Sequence, residues 1–140
     1  MQFGNSLTTL CNTTLGQPGG LFGLVSNYRI LNANALYDLA LFAPTHIRLS
    51  ADYAYNFGFN QQAILAYTGQ NITPQTTGWQ VKGEFGWPKV DVWGKWSVFT
   101  FYRYLERDAV LDAFTDSDFH QGGAFNLGST NVKGWVVGGN

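Results

Sequence analysis

The sequence holds a single cysteine, Cys11. No intramolecular disulfide can form, and no cysteine-rich metal site is available. Cys11 sits in a polar N-terminal stretch and reads as an incidental free thiol. Charge is scarce too: Asp, Glu, Lys and Arg make up 12% of the chain, about half the share usual in soluble domains. A net charge of −1 leaves no electrostatic footprint for nucleic acid. No run of about 20 apolar residues occurs, which excludes a transmembrane helix. The opening MQFGNSLTTL lacks the basic start and sustained apolar core of a secretory signal. What the chain does have is an aromatic content of 16% and abundant glycine. That profile suits a β protein with much aromatic surface better than a helical enzyme.

Residues 1–34 are rich in Gly, Asn and Thr and read as loop, with a weak strand over 21–28. Residues 35–140 read as a β segment. ALYDLALF (35–42) is a short strand, and Ala43-Pro44 makes a tight turn. THIRLSADYAYNF (45–57) follows, with Thr45, Ile47, Leu49, Ala51, Tyr53, Tyr55 and Phe57 on one face and His46, Arg48, Ser50, Asp52, Ala54 and Asn56 on the other. A long polar loop over 58–77 leads to GWQVKGEFGW (78–87), which alternates strictly. A turn at 88–95 leads to WSVFTFYRYLE (96–106). A second long connection, 107–130, precedes a last strand, NVKGWVVGG (131–139). Short and long connections therefore alternate, as they do in outer-membrane barrels with short turns at one end and long loops at the other.

The aromatic residues sharpen this. Tyr53, Tyr55, Trp79, Tyr102 and Tyr104 fall at the rim that carries the long loops, and Trp87 and Trp96 at the opposite rim. Amphipathic rings favour the boundary between hydrocarbon and water, so two such girdles are expected at a membrane. From 79 to 87 the apolar face spans about 20 Å along the membrane normal for a rise of about 3.3 Å and a tilt of about 40°. The alternation by itself also fits a soluble β-barrel or sandwich that binds a ligand inside, with the oily face as its core. In that second reading Trp79, Val81 and Phe85 would be buried in protein.

In the membrane reading, parity places Asp38, His46, Arg48, Asp52, Gln80, Lys82, Glu84 and Arg103 on a pore wall. Mixed charge there orients water and sorts ions. Phe99 and Phe101 fall on the same face unless a bulge flips the register. In the stretch ERDAVLDAFTDSDFH, the residues Asp108, Asp112, Asp116 and Asp118 are candidates for a loop that folds into the lumen, narrows it and favours cations. A solvated outer loop is the other reading. Asp116, Asp118 and His120 lack an EF-hand pattern, and no metal or other cofactor is expected. No nucleophile elbow, HExxH or phosphate-binding glycine loop is present, so the chain is not expected to be an enzyme. An outer-membrane hydrolase using His120 is the remaining enzymatic alternative.

RYLERDAVLDAFTDSDFHQGG (103–123) and NVKGWVVGG (131–139), with the preceding KWSVFTFYRYLERDA and, more weakly, ADYAYNFGF (51–59), resemble the putative porin family of Gram-negative outer membranes. The resemblance covers 35–139. It implies an all-β, antiparallel up-and-down transmembrane barrel in the bacterial outer membrane that passes small solutes or ions. Its partners would be membrane lipid and, since porins often trimerise, two further copies in a homotrimer. The chain departs from the family in carrying AFNLGST before NVKGW and in ending without a terminal aromatic strand. About five or six strands fall short of the roughly eight needed to close a barrel. We therefore expect an internal fragment of a larger porin, which would also account for the missing signal.

Overall fold

The computed structural model describes residues 5–9, 22–111, 115 and 130–140. In chain order it contains β1 (Leu7–Thr9), β2 (Phe22–Leu24), β3 (Ile30–Phe42), β4 (Thr45–Asn56), α1 (Gln61–Thr68), β5 (Thr77–Gly86), β6 (Ser97–Leu105) and β7 (Val132–Gly139). β1 and β2 pair with each other. β3 to β7 form one sheet in sequence order, every neighbouring pair antiparallel. This is the up-and-down meander expected from the alternation.

The register sorts the side chains into two faces. Ala51, Val81, Tyr102 and Trp135 lie directly across four strands, as do Leu49, Gly83, Thr100 and Val137. On the opposite face Asp38, Arg48, Glu84 and Phe99 form one row, and Asn34, Asp52, Gln80 and Arg103 another. Side-chain direction alternates along a strand, so one unbroken register carries the sorting through the sheet. The irregularity lies between Leu39 and Phe42, beside the Ala43-Pro44 turn. β6 has none against β5, so Phe99 and Phe101 do face the same way as Arg103.

Three elements differ from the sequence expectation. β3 starts at Ile30, not 35, so the expected boundary at 34/35 falls inside a strand. Asn32 and Asn34 disfavour strands by propensity, but here they pair with Ala54 and Asp52 on the polar face, where both stay exposed. The loop over 58–77 contains α1. Asn60 caps its N-terminus by accepting a hydrogen bond from the Ala63 N–H (3.0 Å), and Gly69 closes it in the left-handed region (φ 68°) with its N–H donating to Leu65 O. The third difference is the β1–β2 pairing, within a region read as loop with one weak strand.

Burial runs opposite to that of a water-soluble domain. Among the described residues the buried apolar side chains are Ala54, Ile64 and Ala109, while Asn5, Ser6, Ser26, Asn56, Thr76, Ser97, Asp108 and Thr130 are buried polar ones. Among the described helix and strands, substantial contacts run only between neighbouring strands. No second layer of described residues covers the apolar face.

Most of the buried polar groups form a knot at the rim with the long connections. The Asp108 carboxylate accepts hydrogen bonds from the Ser6 N–H (2.9 Å), the Ser6 hydroxyl (2.7 Å) and the Tyr28 hydroxyl (3.1 Å). Asn56 Nδ2 donates to Asp108 O (2.9 Å), and Asn56 Oδ1 accepts from the N–H groups of Arg29 and Gly58 (3.0 Å each). Asn5 Nδ2 donates to the carbonyls of Arg107 and Val110 (2.7 and 2.8 Å). The N-terminal segment is thereby tied to the end of β4 and to the chain leaving β6. Buried polar groups persist when they are satisfied this fully.

Candidate functional site

The polar face is built from alternate positions of β3 to β6. Nearest the Ala43-Pro44 turn, His46 Nδ1 lies 2.8 Å from Asp38 Oδ1. One row inward, Arg48 pairs with Glu84, whose other oxygen lies 3.0 Å from Lys82 Nζ. Toward the far rim Arg103 Nε donates to Gln80 Oε1 (2.8 Å), and Asp52 lies directly opposite Gln80. All eight residues expected on this wall thus share one face. Three carboxylates, Asp38, Asp52 and Glu84, stand with three permanent cations, Arg48, Lys82 and Arg103. The charges on this face balance.

The two phenylalanines on this face have a physical place. Phe99 and Phe101 stack with centroids 6.4 Å apart and planes 8° apart. Lys82 Nζ sits 4.7 Å over Phe99, and Arg103 Cζ 5.3 Å over Phe101. The cations are drawn to the negative ring faces, so apolar rings are compatible with a charged wall. Gly138 makes room for them: a Cβ there would lie 2.5 Å from Phe99 Cζ.

A cavity of about 420 Å³ lies against the far end of this face. Asn32, Asp52, Gln80, Arg103 and Leu105 line it together with Val110 and Thr115. The described part of the β6–β7 connection therefore lies over the charged face. Asp108 does not line this cavity. It is fully buried as the acceptor at the centre of the knot, where it holds the connection in place. Asp112, Asp116 and Asp118 lie outside the described residues.

The apolar face carries the expected rings at both ends. Trp79 stacks on Tyr104 (6.1 Å) and contacts Tyr102 (5.4 Å), and Tyr102 meets Trp135 edge-on (5.1 Å). Tyr53 pairs with Trp79 across β4 and β5, and Tyr55 lies two positions further along that face. At the other rim Phe85 packs edge-on against Trp96 (5.7 Å), and Trp87 lies under Lys95 Nζ (5.4 Å). Trp135 belongs to this group but was not singled out from the sequence. Its alternation within VKGWVVGG is masked by the flanking glycines.

An antiparallel meander with one exposed apolar face, one charged face and aromatic residues at both rims has the organisation of a strand-built membrane protein. A family model described as Putative porin matches residues 1–140, and the chain belongs to that family. No curated protein and no solved structure matches the chain. The family carries a porin-like role and, in general terms, an outer-membrane location.

Proposed function

We propose that the charged face of β3–β6 lines a water-filled pore for passive diffusion of small polar solutes or ions, and that the apolar face meets lipid in the bacterial outer membrane. The observation that carries this reading is the inverted burial. Val81, Val98, Trp135 and Val137 are 51%, 50%, 69% and 79% exposed, while buried positions are mostly polar. In water such a face would have to be covered by protein, as the ligand-binding alternative requires of Trp79, Val81 and Phe85. Trp79 and Phe85 are 39% and 38% exposed instead. In a bilayer the same face needs no cover.

The wall itself is balanced in charge, so it favours neither sign strongly. Any bias toward cations would come from the acidic connection after β6, whose start overhangs the cavity at Val110 and Thr115. The test is conductance, in planar bilayers under a salt gradient, of a closed barrel that contains this sheet. Discrete steps with a reversal potential favouring cations are expected, and Asp112→Asn with Asp116→Asn and Asp118→Asn should move it toward zero. Absence of any conductance, with monodisperse protein in water without detergent, would refute the reading.

A further inference from the structure

The ten residues between β5 and β6 read WPKVDVWGKW, 87–96. They form a braced turn. The Trp87 N–H donates to Trp96 O (2.9 Å), and the Lys95 N–H to Val92 O (3.2 Å). Lys95 Nζ donates to Asp91 Oδ1 (2.6 Å) and sits over the Trp87 ring. Gly94 has φ 92° with open space around it, so glycine is required there by backbone conformation and not by crowding. This frame holds out an apolar tip: Trp93 is 100% exposed, Val92 60% and Val90 42%. An unbraced tryptophan would be free to fold back onto Trp87 or Trp96. Here it stands clear of both, fully exposed.

We propose that this turn anchors the protein to phospholipid headgroups, with Trp93 and Val92 seated in the interfacial layer and Lys89 facing lipid phosphate. The proposal rests on the membrane reading above and adds to it a specific lipid contact outside the strands. Two features select this occupant. The tip continues from the Phe85–Trp96 pair at the edge of the apolar face, so the two would form one lipid-facing surface. Lys89 and Lys95 against Asp91 also leave the turn with an excess positive charge, complementary to an anionic headgroup. Beyond the hydrocarbon lies an interfacial layer roughly 5–7 Å deep on each side, where tryptophan is enriched. Basic residues gain attraction to anionic lipid there within a screening length.

The experiment places the environment-sensitive fluorophore NBD at Trp93→Cys or, separately, at Val81→Cys, both in a Cys11→Ser background. The protein is reconstituted in vesicles of phosphatidylcholine with or without phosphatidylglycerol. Both labels should shift to the blue and brighten at least twofold relative to water. The label at 93 alone should brighten further with phosphatidylglycerol, and Lys89→Gln should abolish that gain. A label at 81 in lipid with a label at 93 in water would overturn the anchor and leave the membrane reading standing. A label at 93 shielded equally in both lipids and indifferent to Lys89→Gln would overturn the headgroup contact and leave only apolar burial of the tip. Both labels in water would remove the membrane reading and the anchor together. Trp93→Phe with native-like circular dichroism, showing weaker vesicle-dependent change in intrinsic fluorescence, gives a readout that needs no label.

Discussion

Val81 and Lys82 are chain neighbours with opposite surroundings, and single substitutions there should show it. Val81 lies mid-strand on the apolar face, 51% exposed. Val81→Arg should destabilise the inserted protein by about 2–4 kcal/mol, the cost of a cation near the bilayer midplane. Lys82 faces Glu84 and Phe99, and Lys82→Gln should cost no more than about 1 kcal/mol, as for a partly exposed ion pair. Urea unfolding in vesicles measures both. Gly138→Leu should cost about 1–3 kcal/mol by driving a side chain into the Phe99 ring. In the β5–β6 turn, the hydrogen bond from Lys95 holds the Asp91 carboxyl below the usual carboxylate range. A group with a lowered folded-state pKa contributes above its ordinary pKa, and the contribution is lost as pH falls through the lowered value. The turn should therefore stay braced at neutral and mildly acidic pH and loosen only in stronger acid. A carbon-13 titration of the Asp91 carboxyl would follow this, and Lys95→Gln should move its midpoint up toward the ordinary range.

At the scale of elements, the knot around Asp108 decides how the N-terminal segment and the β6–β7 connection sit on the rim. Asp108→Ala leaves the Ser6 N–H and hydroxyl and the Tyr28 hydroxyl without that acceptor. A loss of about 1–3 kcal/mol is expected for buried donors left unsatisfied. Amide exchange should rise first in residues 5–8 and 23–28, with β4, β5 and β6 still protected. Much of the sheet was legible from alternation, because period-two patterning survives wherever one face is apolar. THIRLSADYAYNF and GWQVKGEFGW gave β4 and β5 to within a residue or two. The N-terminal half of β3 was hidden because its alternate residues are Asn32 and Asn34, which look like loop until β4 is set beside them. Helix α1 was announced by Asn60 and Gly69, a cap at each end, but the eight residues between carry only one buried side chain, Ile64. That the eight polar side chains share one face followed from parity. The burial of Asp108 did not, since its partners Ser6 and Asn56 are 102 and 52 positions away and no local pattern links them.

For the whole molecule, the direction of the strands limits how the sheet closes. β3 and β7 are the first and last of five antiparallel strands and so run the same way. An antiparallel barrel containing this sheet needs an odd number of further strands between them, giving an even total as in bacterial single-chain barrels. A map of the assembled protein in detergent would count them. The central claim is that lipid meets one face of this sheet and water the other. The most direct measurement is a cysteine scan of residues 79–85 on β5 in a Cys11→Ser background in liposomes. Each position is read by quenching from brominated lipid and by reaction with a membrane-impermeant thiol reagent. Odd positions should be quenched by lipid and even positions should react from water, alternating along the strand. Odd positions that escape lipid quenching, or reactivity that fails to alternate, would contradict the account.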